Sequence, residues 1–149
     1  MVPVGLAGYM TASLYTWFLF AAYRRERYKI GIMVTTAAAV TALILFVHNG
    51  FGFGWLLGFA GLNLVMLVFA GKQLNRYYLL LLAFLSLEES VFSPLWLNFS
   101  AVQNAELAGD ATELSHATGV PALVFTIWFT LFALWCAKRA IIAFTGQVK

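Results

Sequence analysis

The sequence is poor in charge and in reactive side chains. Asp, Glu, Lys and Arg make up 10% of its 149 residues, and it contains one cysteine, two histidines and three prolines. The lone Cys136 excludes an internal disulfide and any metal site built from several cysteines. Apolar residues make up 62% of the chain, and its mean hydropathy is +0.86. A chain with so little polar surface is expected to lie in a lipid bilayer.

Five apolar stretches approach the roughly 20 residues that a helix needs to cross the hydrocarbon core. The first is expected to be retained, since it lacks the basic residues that precede the apolar core of a cleaved signal. The third and the last are short, so helix tilt, local thinning of the bilayer or an extension of the last through Ile141 and Ile142 must make up the difference. The prediction is an all-α, polytopic membrane protein, a single domain of residues 1–149 with transmembrane helices at 2–23, 30–48, 54–70, 77–97 and 121–137.

The distribution of Lys and Arg predicts an orientation. If the five helices alternate, all nine cations fall on one side, which is expected to be cytoplasmic. The N-terminus, the glycine-rich turn 48–54 and the loop 98–120 then lie outside, and the C-terminus lies in the cytoplasm. The cations are not interleaved with aromatic residues as in nucleic-acid sites, so the predicted partners are the bilayer and other membrane-protein subunits, and no nucleic acid. These cations are Arg24, Arg25, Arg27, Lys29, Lys72, Arg76, Lys138, Arg139 and Lys149.

The segment 106–128 joins a polar stretch to an apolar helix. Asp110 and Glu113 have the spacing at which two carboxylates cap the first turn of a helix. A short outer-loop helix is therefore predicted from about Ala111, ending at Gly119. Pro121 fits the first position of the last helix, where no amide hydrogen is needed.

Two adjacent carboxylates, Glu88 and Glu89, lie near the middle of the fourth span, and Asn63 lies at a similar depth in the third. A charged carboxylate in hydrocarbon costs about 3 kcal/mol or more. One or both are therefore expected to be protonated, paired or beside water. The three side chains could form an intramembrane proton or polar network, or they could simply hydrogen-bond between helices.

Both histidines fall on the predicted outer side, His48 at the end of the second span and His116 in the outer loop. With Asp110 they would supply two imidazoles and a carboxylate, a ligand set suited to zinc, and Glu106 or Glu113 could act as a base. Two histidines on different segments could instead bind a haem or a pigment. The structural alternative is that each is only an interfacial side chain.

The segment 110–129 contains Asp110-Ala111, Leu114, Thr118-Gly119, Pro121 and Trp128-Phe129. With these residues it resembles the C-terminal signature of the small site-two-protease-like membrane zinc metallopeptidases. The resemblance implies an H-E-x-x-H motif on a membrane helix, in which two histidines bind zinc and the glutamate activates water. Here the corresponding stretch, 48–52, reads HNGFG: it keeps the first histidine but has Asn49 in place of the base and Gly52 in place of the second ligand.

The incomplete motif predicts a non-catalytic relative of these peptidases. Such a pseudoenzyme would act as an accessory or structural subunit that packs against other membrane proteins in a membrane complex. The first alternative is a divergent membrane-embedded zinc hydrolase using His48, His116 and Asp110. The second is a subunit for proton or electron transfer, through Glu88 and Glu89 or through a haem or pigment bound by the two histidines.

Overall fold

The computed structural model describes residues 2–103 and 110–146, with side chains from residue 8 in the first range and from residue 111 in the second. Every regular element within these ranges is a helix, so the all-α prediction is confirmed. The helices are α1 (Val2–Arg24), α2 (Tyr28–Leu45), α3 (Gly50–Phe69), α4 (Lys72–Gln103), α5 (Asp110–Thr118) and α6 (Ala122–Thr145). The short α5 is the predicted helix before the last span.

Four of these helices, α2, α3, α4 and α6, are long and apolar enough to cross a membrane. The remaining predicted span, 2–23, corresponds to α1, whose first side chains lie outside the described part of the chain, so this span stays a prediction. The expected extension of α6 through Ile141 and Ile142 is confirmed, since α6 has 24 residues. The helix α4 has 32 residues. It extends beyond the predicted 77–97 at both ends.

The turn between α1 and α2 is held by backbone hydrogen bonds. The Arg27 amide donates to the Ala22 carbonyl at 2.9 Å, and the Glu26 amide donates to the Tyr23 carbonyl at 3.1 Å. This pairing is the Schellman pattern, in which the residue after the helix is left-handed and is usually glycine. Here Glu26 takes that position, with φ 55°, so a side-chain-bearing residue occupies a strained conformation.

The turn between α5 and α6 follows the sequence closely. Gly119 has φ 73°, and its amide donates to the Ser115 carbonyl at 2.8 Å, so α5 ends where glycine was expected to end it. The prediction that Pro121 occupies the first helical position is wrong by one residue. Pro121 has ψ 136° and is the N-cap of α6, because its backbone is extended and the helix begins at Ala122.

The helices form two compact units, one of Met1–Ala21 with Leu82–Lys149 and one of Ala22–Leu81, here called unit 1 and unit 2. In unit 1 the rings of Phe20, Phe84 and Phe144 pack edge to face, with centroids 5.3 to 6.2 Å apart. In unit 2, α2 packs against α3, and Gly31 makes room for Leu79, since a Cβ at residue 31 would lie 2.5 Å from Leu79 Cδ1. The single-domain assignment stays a prediction.

Candidate functional site

Residues 48–52, which the resemblance to the peptidases aligns with their zinc-binding motif, lie where a turn leads into a helix. The helix α2 ends at Leu45 and α3 begins at Gly50. The predicted turn through Gly54 is therefore too long, because α3 already includes residues 50–54. His48 lies exposed in this turn, with its ring Nδ1 3.1 Å from the Phe46 carbonyl oxygen.

Asn49 and Gly52 together form the N-terminal cap of α3. The Gly52 amide donates to Asn49 Oδ1 at 2.8 Å, the bond by which an asparagine satisfies an otherwise unpaired amide at a helix start. A Cβ added at residue 52 would overlap Asn49 Oδ1. An H-E-x-x-H site needs two histidines one turn apart on one helix, but residue 48 precedes the helix and residue 52 belongs to its cap. The residues present therefore do not fit a zinc site of that type.

The helix α5 lies on the surface with one apolar face and one polar face. Ala111 is 0% exposed and Leu114 is 1% exposed, and Ala111 packs against Ala122 of α6. Glu113 and His116 are exposed. The apolar positions therefore attach α5 to its neighbours, while its titratable side chains remain available to solvent or to a ligand.

The metal site proposed from His48, His116 and Asp110 stays a prediction. His48 belongs to unit 2 and His116 to unit 1, and the side chain of Asp110 lies outside the described residues, as does Glu106. Among the side chains that the structure describes, no three of His, Cys, Asp and Glu come together as metal ligands. Binding of a haem or a pigment by the two histidines also stays a prediction.

Glu88 and Glu89 lie in the middle of α4, about 24 Å along the axis from its first residue at 1.5 Å per residue. Both side chains are exposed. Glu89 accepts a hydrogen bond from the Ser93 hydroxyl of its own helix at 2.6 Å, whereas the neighbouring Ser90 is buried, 5% exposed. The buried Ser90 and the two glutamates therefore lie on different faces of α4, and the carboxyls point away from the interior of unit 1.

A groove of about 480 Å³ runs beside Glu89. Besides Glu89, the groove is lined by Tyr9, Phe92, Ser93 and Trp96. Phe92 is 62% exposed and Trp96 is 61% exposed. One carboxyl thus lies among aromatic rings on the outer surface of unit 1, where a neighbouring protein can reach it.

Asn63 occupies the interior of unit 2. Its side chain is 0% exposed, and its Oδ1 accepts a hydrogen bond from the Tyr78 hydroxyl, which joins α3 to α4. Because Glu88 and Glu89 belong to unit 1, the network that would link them to Asn63 stays a prediction.

Asn98 is a second interhelical amide, and the sequence had not marked it as a packing residue. Its Nδ2 donates to the Thr130 hydroxyl at 2.5 Å and to the Thr126 carbonyl at 3.4 Å, so α4 is bonded to α6 within unit 1. The spacing of Thr126 and Thr130, one helical turn apart, was the available signal, because hydroxyl residues at this interval can bond across membrane helices.

The turns α1–α2 and α3–α4 meet at one end of unit 2, here called the basic end and comprising residues 23–29 and 70–76. Lys72 Nζ donates to Glu26 Oε2 at 2.7 Å, and the Arg76 Nε donates to the Tyr23 hydroxyl at 3.1 Å. The hydrogen bond and the positive charge from Lys72 lower the pKa of the Glu26 carboxyl. In the sequence, these cations were used only to predict orientation, so the cluster itself was missed.

Comparison with known families adds a relationship that covers most of the chain. A family model described as Peptidase M50B-like matches residues 1–139. Neither the curated proteins nor the solved structures give a match to the chain. The matched range contains the turn at 48–52 and the segment 110–129, so the resemblance to site-two-protease-like peptidases is confirmed. The chain belongs to the Peptidase M50B-like family.

Proposed function

We propose that this chain is a non-catalytic member of its family that acts as an accessory subunit by packing against another membrane protein. The observation that carries the proposal is the exposure of Glu88 and Glu89 in the middle of α4. Each charged carboxylate placed in hydrocarbon costs about 3 kcal/mol on insertion scales. A neighbouring chain that covers this surface and supplies hydrogen-bond donors would remove much of that cost.

The cations of α4, Lys72 and Arg76, lie far from the pair along the helix. Arg76, the basic residue of α4 nearest to the pair, precedes Glu88 by about 18 Å along the helix axis at 1.5 Å per residue. A second copy in parallel orientation would place its own Arg76 at the same depth, equally far from the carboxyls. The pair therefore favours a different membrane chain that carries a donor or a cation near mid-depth.

The helix α3 carries a second surface suited to lateral packing. Gly54, Gly58 and Gly61 follow the spacing i, i+4, i+7 and share one face, while the buried Ala60 and Asn63 lie on the opposite face. A Cβ added at any of the three glycines meets nothing within 4 Å. Small residues allow close approach between membrane helices, so this face is open to a helix of another chain.

The cap at the start of α3 supports the non-catalytic part of the proposal. Asn49 carries a neutral amide, which cannot take a proton from water as a catalytic glutamate does. Its oxygen is already bonded to the Gly52 amide. A histidine introduced at residue 52 would therefore also displace the Asn49 side chain that caps α3.

Blue native electrophoresis of mildly solubilised membranes tests the association. We expect the 16.5 kDa chain to migrate in a larger complex, and Glu88→Ala, Glu89→Ala and Gly58→Leu to shift it toward the monomer. Leu64→Phe is the matched control, because it adds bulk to an exposed α3 position roughly a quarter turn away from the glycine face. A solitary monomer in native membranes, unchanged by these substitutions, would contradict the proposal.

A divergent zinc hydrolase is the second candidate, and membership of a peptidase family favours it. Its site would be built from His48, His116 and Asp110, with Glu113 or Glu106 as the base. Metal analysis of the purified chain decides the question: zinc near one equivalent that is lost in both His48→Ala and His116→Ala would support the hydrolase. Substoichiometric zinc, unchanged in both variants, would remove it.

Proton or electron transfer is a third candidate, carried by the intramembrane position of the two carboxyls. It predicts a pH-dependent flux across vesicles that Glu88→Gln or Glu89→Gln abolishes, or a haem absorption band that His48→Ala removes. If the intact protein shows neither the flux nor the absorption band, this candidate is removed and the packing role of the carboxyls is supported.

A further inference from the structure

A cavity of about 520 Å³ opens at the basic end of unit 2, between the α1–α2 and α3–α4 turns. Its lining includes three cationic side chains, Arg27, Lys29 and Lys72, and one carboxylate, Glu26. Glu26 is paired with Lys72 at 2.7 Å. The cavity therefore keeps a net positive charge, with Arg27 and Lys29 in excess of the pair.

Two helices begin at this cavity. Tyr28, the first residue of α2, and Lys72, the first residue of α4, both line it. The N-cap of α2 is Arg27, and no side chain caps its first amides. The first amides of a helix and its dipole both favour an anion, so backbone and side chains select the same sign of charge.

The lining also contains an unpaired acceptor. Asn75 is 1% exposed, and its Nδ2 donates to the Ala70 carbonyl at 3.2 Å, which fixes the orientation of the amide. Among the described residues, Asn75 Oδ1 has no hydrogen-bond partner. A buried carbonyl oxygen without a donor is costly, and a phosphate diester has no proton to offer it. A hydroxyl group does.

We propose that this cavity binds a phosphate ester that carries free hydroxyl groups, in the form of the headgroup of an anionic phospholipid such as phosphatidylglycerol. The cations and the first amides of α2 and α4 hold the phosphate, and a headgroup hydroxyl donates to Asn75 Oδ1. Ile30 and Ala70, which also line the cavity, contact the glycerol backbone of the lipid. A basic pocket between membrane helices is a recognised type of lipid-headgroup site. This inference does not depend on the proposed accessory role.

Lipid binding to the purified full-length chain in neutral detergent tests the site, with native mass spectrometry as the readout. Phosphatidylglycerol is compared with phosphatidylethanol of the same acyl chains, which has the same charge but no headgroup hydroxyl, and with phosphatidylcholine. We expect phosphatidylglycerol to bind at least about tenfold more tightly than phosphatidylcholine. The preference over phosphatidylethanol should disappear in Asn75→Ala.

Charge variants separate the cavity from the general basic surface. The double variant Arg27→Gln, Lys29→Gln should weaken phosphatidylglycerol binding about tenfold or more, and Glu26→Gln should strengthen it by freeing Lys72. Lys138→Gln, which removes an exposed cation from α6, is the matched control and should leave binding unchanged. Circular dichroism of each variant checks that the helices are intact.

Three results would overturn the proposal. They are equal affinity for phosphatidylglycerol and phosphatidylcholine, an effect of Lys138→Gln as large as that of the double variant, and a preference over phosphatidylethanol that survives in Asn75→Ala. Competition by glycerol phosphate identifies the source of the ligand. Displacement of the lipid at equal concentration assigns the cavity to a soluble polyol phosphate and overturns the lipid form, whereas no displacement supports it.

Discussion

The polar side chains of α3 and α4 fall into two groups with opposite surroundings. Asn63 in unit 2 is fully buried and bonded to Tyr78 of another helix, and Asn98 in unit 1 is bonded across helices to Thr130. Glu88 and Glu89 are exposed, and Glu89 is bonded to its own helix. The amides thus hold the chain's own helices together, whereas the carboxyls contribute little to its fold and are free to serve an interaction.

The largest loss of stability is expected from a substitution inside unit 2. Asn63→Ala removes the acceptor for the Tyr78 hydroxyl and opens a cavity, so the free energy of unfolding should fall by about 2–3 kcal/mol. Unfolding in SDS, followed by circular dichroism, measures the change. Leu64→Ala, at the next and exposed position, is the control, and an equal loss in that variant would show that Asn63 has no special role.

Replacing an exposed carboxyl is expected to change the free energy of unfolding in the opposite direction. Glu88→Leu should raise the free energy of unfolding of the isolated chain in lipid vesicles by about 1–2 kcal/mol, since a group unsuited to hydrocarbon is replaced by an apolar one. The same substitution should weaken the native complex. If Glu88→Leu destabilises the isolated chain, the carboxyl belongs to the fold and the contrast with Asn63 is lost.

A smaller effect measures the bond between α4 and α6. In a double-mutant cycle of Asn98→Ala and Thr130→Val, we expect a coupling energy of about 0.6 kcal/mol and at most about 1.7 kcal/mol, the range measured for hydrogen bonds between membrane helices. The Asn98 contact with the Thr126 carbonyl survives in Thr130→Val. Additive single losses would mean that the two side chains do not stabilise each other.

The smallest change in stability is expected from a substitution at the basic end. Lys72 lowers the pKa of Glu26, so this pair stabilises the fold at neutral pH, and its contribution is lost as pH falls through the lowered pKa. Both side chains are largely exposed, 73% for Lys72 and 59% for Glu26, so screening by solvent keeps the effect small. The Tm difference between wild type and Glu26→Gln should be detectable at neutral pH and vanish in acid, once the Glu26 carboxyl is protonated. A difference that persists in acid would show that the charge on Glu26 is not its source.

Errors in the predicted elements have physical causes that can be traced to single residues. The predicted turn after His48 is too long because Gly50, Gly52 and Gly54 have low helix propensity. The Asn49 cap nevertheless starts the helix at Gly50. The predicted fourth span followed the apolar residues alone, whereas α4 begins at Lys72, since a helix can continue through polar residues beyond the hydrocarbon. The cavity beside Asn75 could not be predicted, because it depends on two turns separated by more than 40 residues.

The sequence by itself determined the bilayer environment, the helical class and the resemblance to a peptidase family, because hydropathy, helix length and motif spacing are properties of consecutive residues. Only the tertiary structure decided that Asn63 points inward, that Glu88 and Glu89 point outward and that Lys72 meets Glu26. Each of these depends on how a helix is rotated about its axis and on which distant segment packs beside it. Contacts between helices determine both the rotation and the packing partner, and neither can be predicted from a local pattern of residues.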